Sequence, residues 1–352
     1  MIFSEADFLQ IRNHGLSLSD IEEQLKKFKE GFPYAQLVAP ATIDNGIIAM
    51  SIEEIKYYSD FFDKHYRGFH LTKFVPASGA ATRMFKNLYE YLENPKTNNN
   101  KSIEIFISNI KEFAFFENLS EVMKKDGLDI DNCLSQKQIN LIIEYILNEK
   151  GLNYGSLPKG LIKFHKYNNY SRTAAEEHVV EAAHYVVNSN GIANLHFTVS
   201  KEHLNKFKQH ICSIINDYEK HYKIKFNIDY SIQDPSTDII AVDENNNPFR
   251  EKDGKLHFRP GGHGALLKNL NELHGDIIFI KNIDNVAHES MLHHTLLYKK
   301  VLAGYLMELL HYTYNYLLKL NNDSNLSIQE YLEIADFSEK KLQIKIPYDF
   351  KN

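Results

Sequence analysis

Apolar residues along the chain change their spacing several times, and each spacing predicts a different kind of element. Over residues 1–70 they recur every three or four positions, which is typical of amphipathic helices. Ser19 and Ser51 each stand three residues before a glutamate, the form of a capping box, and Gly31 and Gly68 follow as helix-ending residues. We therefore predict that the chain begins with an N-terminal helical segment.

Beyond Gly68, short apolar runs alternate with helical patterns. Four runs are predicted to be strands: LTKFV (71–75), IANLHFTVS (192–200), KIKFNIDYSIQ (223–233) and DIIFIKNID (276–284). Strands in alternation with helices predict an α/β core over residues 71–290, with a helical insertion at about residues 89–155. A C-terminal helical segment is expected over residues 291–352, and its first part, residues 292–320, has the pattern of one long helix.

Composition narrows the class of protein. The chain has 352 residues, and 43% of them are hydrophobic, which suffices for a large core and suggests about two domains. A net charge of −6 argues against a partner held through nucleic-acid phosphates. Two cysteines cannot form a disulfide framework, and we find no apolar run of about 18 residues and no signal-peptide pattern. We expect a cytoplasmic protein without a nucleic-acid or membrane partner.

The stretch FVPASGAATRMFKNL, residues 74–88, places small residues between a predicted strand and a predicted helix. Such junctions bind phosphate because free backbone N–H groups and the helix dipole face the anion. Ser78, Gly79, Thr82 and Arg83 supply suitable donors, and an Arg can hold two phosphate oxygens at once. The stretch matches neither the P-loop nor the dinucleotide fingerprint. Its alternative role is the close packing of a neighbouring helix.

Three further stretches carry similar chemistry. Lys159 lies in a Pro-Lys-Gly turn that suits a point-charge contact to phosphate, although it could be an ordinary loop lysine. Gly262 and Gly264 leave backbone groups bare before a predicted helix, or serve a tight turn. Asp284 follows a buried strand, where ligands bind in open α/β sheets, and is a natural Mg²⁺ ligand or a loop cap.

Taken in order, these pieces resemble a known set of motifs. The UDP-sugar pyrophosphorylases, above all the UDP-N-acetylhexosamine enzymes, carry Gly-Gly-x-Gly-Thr-Arg, Pro-Lys-Gly, a strand with Thr-Ser, Phe-x-Gln, Gly-Asn-Gly-Gly and a strand ending in Asp-Asn. The order here is SGAATR, LPKGL, HFTVS, YSIQ, PGGHGALLKNL and IDN, over about residues 71–290. The whole chain also resembles a bacterial family of unknown function, frequent in Bacteroidetes, that is grouped with nucleotide-diphospho-sugar transferases.

The resemblance implies a GT-A-like, Rossmann-related mixed sheet flanked by helices, and a nucleotidyltransferase. Such an enzyme transfers a nucleotidyl group from a nucleoside triphosphate, here expected to be UTP, to a sugar 1-phosphate and releases pyrophosphate. By position, the triphosphate would be held by Ser78, Gly79, Thr82 and Arg83. Lys159 would neutralise the α-phosphate region, and Asp284 would hold Mg²⁺. A uracil-like base would be read by Gln233, Gly262, His263 and Gly264.

The sequence also departs from the family pattern. Ala81 stands where the family has Gly, so a positive φ there would strain the loop. His263 replaces Asn, which leaves the preferred base open. Residues 89–155 separate the first loop from Lys159, and Lys86 is therefore a rival for the same role. A non-catalytic protein that binds a nucleotide or nucleotide sugar is the alternative function.

A rival site lies in RTAAEEHVVEAAHY. Glu177, Glu181 and His184 stand at i, i+4 and i+7, one face of a helix, and Glu-x-x-His is half of a di-metal carboxylate site. A metal-dependent hydrolase or oxidase is thus a third class of function. The plainer interpretation is a polar helix face near the cleft. In that case Arg172, Glu177 or His178 could contact the sugar phosphate.

Overall fold

A computed structural model of the chain describes residues 3–79, 81–95, 100–322 and 326–347. The α-helices found there are α1 Glu5–Asn13, α2 Leu18–Glu30, α3 Ile52–His65, α4 Lys86–Glu93, α5 Asn100–Ser108, α6 Phe116–Lys125, α7 Ile130–Ser135, α8 Ile139–Leu147, α9 Ala174–Tyr185, α10 Leu204–Tyr222, α11 Leu267–Asn271, α12 Leu292–Asn322 and α13 Ile328–Lys340. The strands are β1 Thr42–Ile43, β2 Gly46–Ile47, β3 Leu71–Pro76, β4 Lys163–Lys166, β5 Ser171–Thr173, β6 Ile192–Val199, β7 Lys225–Ile232, β8 Ile239–Ile240, β9 Phe258–Arg259 and β10 Ile277–Ile280. Short 3₁₀ helices cover Tyr66–Gly68, Ile110–Glu112, Lys159–Leu161, Pro235–Thr237, His263–Leu266 and Glu289–Met291.

The central sheet has four strands in the order β10-β3-β6-β7, and all three pairings are parallel. One row across the sheet joins Ile280, Phe74, His196 and Asp229. Counted along the chain, the order is 4-1-2-3, which from the other edge of the sheet is the 3-2-1-4 order with which the classic doubly wound sheet begins. Its order reverses between β3 and β10.

The four strands predicted from the apolar runs are confirmed, but the mixed strand direction is not found among the described strands of this sheet. Every connection between them passes through helices, and such crossovers return the chain in the same direction. The central strands β3 and β6 are almost wholly buried, as parallel strands covered on both faces should be. The edge strand β7 alternates between exposed and partly buried residues.

Helices α4 to α8 occupy the stretch predicted as a helical insertion. They enclose an apolar core of their own, which includes the fully buried Leu119, Met123, Ile142, Ile143 and Ile146. Residues 96–99, part of the polar stretch between α4 and α5, lie outside the described residues.

The chain forms two compact units, residues 1–40 with 69–292 and residues 41–68 with 293–352. In the first unit, α1 and α2 pack against the segment from β8 to β9, where Ile11 and Ile21 meet Ile240. Arg250 donates to Asp7 at 2.8 Å in the same region. The division into segments 1–70, 71–290 and 291–352 stays a prediction.

The second unit is built on α3 and the long helix α12. A Cβ on Gly304 would lie 2.0 Å from the Tyr58 carbonyl oxygen, so only glycine permits this close approach of two helices. The hydroxyl groups of Tyr57 and Tyr58 donate to Glu308 at 2.7 and 3.1 Å. The long helix predicted over 292–320 is confirmed. None of the helices in the described part of the chain is long and apolar enough to cross a membrane.

Candidate functional site

A polar cavity of about 270 Å³ opens at the carboxyl ends of the central strands. Its walls come from the segments that follow β3, β7 and β10, from the turn at Lys159, and from the glycine loop before α11. The polar and glycine residues that line it are Ser78, Gly79, Lys159, Gln233, Gly261, Gly262, Asn282 and Asp284.

Strand order explains this location. The order of this parallel sheet reverses between β3 and β10, and in open α/β sheets a crevice forms outside the carboxyl ends of the strands at such a point. Two backbone bonds fix the crevice walls: Ala77 N–H donates to the Thr198 carbonyl at 2.7 Å, and Ile283 N–H donates to the Pro76 carbonyl at 3.2 Å. The cavity therefore lies where ligands bind in open α/β sheets.

Lys159 and Asp284 form an ion pair on the cavity wall, with 2.6 Å between Nζ and Oδ2. The backbone holds Lys159 in place, since its N–H donates to the Gly79 carbonyl at 3.3 Å. Gly160 is buried, and a Cβ there would lie 2.5 Å from Phe207. The Pro-Lys-Gly turn is thus fixed by close packing, and it carries the ammonium group to the cavity.

Gln233 links two loops of the cavity. Its Oε1 accepts from the Ser78 hydroxyl at 3.3 Å, and its Nε2 donates to the Gly261 carbonyl at 3.2 Å. Beside it, Lys268 forms an ion pair with Asp234 and lowers the pKa of that carboxyl group to about 2. These bonds hold the glycine loop against the end of β7 and leave one N–H of the Gln233 amide for a ligand.

The glycines of the site differ in what surrounds them. A Cβ on Gly261 would lie 2.5 Å from the Thr237 carbonyl oxygen, whereas a Cβ on Gly79, Gly262 or Gly264 would meet no heavy atom within 4 Å. None of these four glycines has a positive φ. Open space in front of bare backbone leaves room for a ligand to approach closely.

The strain considered at Ala81 does not arise. Ala81 is not among the positive-φ residues, and its side chain is buried in the apolar core of the insertion. The small residues of SGAATR therefore divide between two roles. Ser78 and Gly79 line the cavity, and Ala81 packs against helices. Ala80 lies outside the described residues.

Six of the ten predicted site residues line this one cavity: Ser78, Gly79, Lys159, Gln233, Gly262 and Asp284. Thr82 and Arg83 do not line it. They are exposed in a turn before α4, because that helix begins only at Lys86. The rival Lys86 is also exposed, and pairs with Glu90 at 3.5 Å.

The remaining two predictions fall on the glycine loop. His263 and Gly264 begin a 3₁₀ helix of four residues and are not among the lining residues. The placement of the His263 side chain is outside the described part of the structure, and Gly264 is exposed. Asn282, by contrast, lines the cavity and was missed, although it stands two residues before Asp284 in the same predicted strand.

The donor set of the cavity fits a Mg²⁺ ion that arrives with phosphate. Asp284 offers one half-exposed carboxylate, with Asn282 beside it. Mg²⁺ is commonly bound by one or two carboxylates together with substrate phosphate oxygens and water. Within the described residues no cluster of three or more ligating side chains exists, so a protein-only metal cage is not found there.

Helix α9 carries a buried charge network rather than an exposed polar face. Glu181 accepts from Lys73 at 2.9 Å and from Lys281 at 2.5 Å. Burial opposes ionisation of Glu181, but the nearby charges, with Lys73 the strongest, hold its pKa at about 2. Because two ammonium groups occupy the Glu181 oxygens, the carboxylate is not placed to hold a metal. The described structure therefore gives no support to a metal-dependent hydrolase or oxidase that uses this helix.

His178 connects α9 to the Asp284 segment. Its Nε2 donates to the carbonyls of Asn282 and Ile283 at 3.1 and 3.2 Å, and its Nδ1 is buried without a partner among the described residues. Burial and the charge of Lys73 hold the pKa of His178 well below its usual value, so the ring is neutral. His178 therefore positions the segment that presents Asp284 and does not itself reach the cavity.

Sequence reasoning missed Lys73, which is fully buried in the middle of β3. The available signal was a lysine in an otherwise apolar strand. A buried ammonium group needs a carboxylate partner, and the glutamates of α9 were the candidates.

Comparison with known proteins gives one result. No curated protein and no solved structure shows a significant match to the chain. The family model described as Domain of unknown function (DUF4301) matches residues 4–352. Since this match covers nearly the whole chain, the protein belongs to the DUF4301 family.

Proposed function

We propose that the protein is a nucleotidyltransferase of GT-A-like fold, which transfers a nucleotidyl group from a nucleoside triphosphate, with UTP as the first candidate, to a sugar 1-phosphate. One observation carries the proposal. Residues from five separate stretches of sequence, chosen because they resemble pyrophosphorylase motifs in order, line a single cavity at the point where the strand order of the sheet reverses.

The proposed roles follow from the cavity walls. The bare backbone at Gly79 and Gly262 leaves space for the phosphates and the base. Lys159 would contact the α-phosphate region as a point charge. The base would meet the glycine loop and the free N–H of Gln233. Asp284 and Asn282 would face a magnesium ion, which supplies charge neutralisation at the triphosphate when bound.

The reaction requires that the two substrates are correctly positioned, and it does not require a strong general base. A sugar 1-phosphate oxygen attacks the α-phosphorus, and the bond between that phosphorus and the bridging oxygen to the β-phosphate breaks. The electron pair leaves with pyrophosphate. Because the attacking phosphate is already anionic, alignment and charge neutralisation supply most of the catalysis.

The ion pair between Lys159 and Asp284 has a consequence for this reaction. In the absence of a ligand each charge satisfies the other at 2.6 Å. With a triphosphate bound, Lys159 would contact phosphate oxygens, and Asp284 would be available to hold the accompanying cation. The ion pair would thus keep both charges in place until the substrate enters.

The alternative is a protein of the same fold that binds nucleotides without turnover, and one observation favours it. Arg83, a predicted triphosphate contact, lies outside the cavity walls. Release of pyrophosphate separates the two functions. The assay supplies UTP, Mg²⁺ and a panel of sugar 1-phosphates, and it compares the wild type with Asp284→Asn and Arg83→Ala.

We expect turnover with at least one sugar, a loss of about a hundredfold or more in Asp284→Asn, and a smaller loss in Arg83→Ala. Binding of UTP without pyrophosphate release for any sugar would support the non-catalytic alternative. Full activity in Asp284→Asn would contradict the proposed site.

A further inference from the structure

A second polar cavity, of about 670 Å³, lies beside β4. Its polar lining includes Glu112, Lys163, His165, Lys166, Tyr167 and His288. Two short segments connect it to the first cavity: residues 159–163 and residues 284–288. Four residues span at most about 14 Å, so the two cavities are close neighbours.

A buried carboxylate fixes the wall of this second cavity. Glu177 is 2% exposed and accepts from the Tyr167 hydroxyl at 2.7 Å and from His165 Nδ1 at 3.0 Å. Arg172, itself buried, contacts the other carboxylate oxygen at 3.4 Å. Because a carboxylate only accepts, the proton of His165 is on Nδ1, and its Nε2 has no partner among the described residues.

The aromatic rings make this wall rigid. Tyr167 stacks on His288 with ring centroids 4.4 Å apart and on Tyr170 at 5.0 Å. The guanidinium group of Arg172 lies 4.5 Å from the Tyr167 centroid. His165 and Tyr167 thus face the cavity in fixed orientations, which lowers the entropy lost when a ligand binds.

The charge of the cavity favours an anion. The Lys166 ammonium group donates to the Lys111 carbonyl at 3.0 Å and has no carboxylate partner in the described chain. Lys163 lies 3.4 Å from Glu176, so its charge is partly balanced. Among the residues that line the cavity, two lysines therefore face the single carboxylate of Glu112.

We propose that this cavity binds the phosphate group of a small phosphate monoester, with Lys166 and the Nε2 atoms of His165 and His288 as its contacts. Lysine supplies the point charge. The Nδ1 of His288 accepts from the Ser290 N–H at 3.2 Å, so its Nε2 carries the proton and donates to a phosphate oxygen. The Nε2 of His165, whose proton is on Nδ1, accepts from a phosphate hydroxyl group. The inference that this ligand is the acceptor substrate, a sugar 1-phosphate, rests on the proposed function. The inference that the cavity binds phosphate is independent of that function.

The test is a titration of the full-length protein with inorganic phosphate and with α-D-glucose 1-phosphate, at constant ionic strength set by chloride. The signals followed are those of isotope-labelled histidine rings. We expect saturable shifts of the His165 and His288 signals with a Kd of about 1 mM, as for a small anion held by a few charge-assisted bonds. Lys166→Ala should weaken binding about tenfold.

Lys206→Ala, an exposed lysine on α10, is the matched control and should bind like the wild type. An absence of shifts at these two histidines with about 50 mM phosphate would overturn the inference. So would a titration that Lys166→Ala leaves unchanged.

The two proposals fail separately. Phosphate binding at His165 in a protein that binds no nucleoside triphosphate would keep this inference and remove the proposed function. The opposite outcome has two parts: nucleotide binding and turnover are unaffected by His165→Asn and Lys166→Ala, and phosphate causes no shift of the histidine signals. That outcome would keep the proposed function and remove this inference.

Discussion

Lys73 stands in the middle of an apolar strand, and its ammonium group reaches Glu181 and the carbonyl of His178 on α9. A local pattern cannot show this, because the partners are more than 100 residues apart in sequence. The prediction that Glu177, Glu181 and His184 lie on one helix is confirmed. The metal interpretation, one of two given for that spacing, finds no support in the described residues, because ammonium groups of Lys73 and Lys281 hold the Glu181 carboxylate.

Glu181→Gln tests the role of this carboxylate. The change leaves the fully buried Lys73 without a counter-charge, and removal of one partner from a buried ion pair commonly costs about 3–5 kcal/mol. We expect a loss of that size in the free energy of unfolding, measured by urea denaturation. Glu244→Gln, at an exposed loop position, is the control and should be within about 0.5 kcal/mol of the wild type. A loss below about 1 kcal/mol in Glu181→Gln would contradict the network.

At the scale of elements, helix starts show what a local pattern can and cannot decide. Ser51 caps α3 as predicted. For α2, however, the cap is Ser17, whose hydroxyl accepts from Asp20 N–H, and not Ser19. Two serines two residues apart each precede an acid by three positions, so the local signal is the same for both. Packing of the buried Ile21 and Leu25 selects one of them.

Alanine substitutions at two glycines of the candidate site should differ in their effect on stability. Gly160→Ala places a Cβ 2.5 Å from Phe207, and overpacking of this kind typically costs about 1–3 kcal/mol. We expect lower stability together with weaker nucleotide binding, because the turn that carries Lys159 shifts.

Gly262→Ala is the matched variant. Its Cβ meets no heavy atom within 4 Å and its φ is −71°, so the fold should keep its stability. Binding should weaken, since the methyl group occupies space in the cavity. Thermal melting and calorimetry distinguish the pair. Equal melting temperatures for the two variants would contradict the described packing.

For the whole molecule, the alternation of strands and helices predicted an α/β core, and four of the strands were located from their apolar runs. The order β10-β3-β6-β7 could not be predicted, because the sequence of a strand does not show which other strands pair with it. The residues that follow these strands were nevertheless singled out, since small and charged residues after a buried strand have a chemical meaning. Arg83 was expected at the site from the motif that follows β3, but it lies exposed in a turn before α4, which begins only at Lys86.

Stability of the whole chain should depend on pH through His178. Its pKa is lowered in the fold by burial and by Lys73, so below about pH 6.5 the unfolded chain takes up a proton that the folded chain does not. Stability is therefore lost as the pH falls. Glu181, whose folded pKa is about 2, adds a further loss below about pH 4.5.

We expect the thermal midpoint to fall between about pH 7.5 and about pH 5.5, with up to about 1.4 kcal/mol per pH unit from His178 alone. His178→Gln should show a shallower slope, and the exposed His221→Gln should keep that of the wild type. Some slope remains because burial also lowers the pKa of His196, His203 and His210. Equal slopes in all three proteins would contradict a neutral, buried His178.

The central claim is that the cavity between β3 and β10 binds a nucleoside triphosphate. The most direct measurement is calorimetric titration of the protein with UTP, CTP, GTP, ATP and dTTP, each with Mg²⁺. We expect saturable binding with a preference for one base, and affinity at least about tenfold weaker in both Lys159→Met and Asp284→Asn, with Lys206→Met unchanged. No binding of any of the five nucleotides, or binding that both cavity variants retain in full, would contradict it.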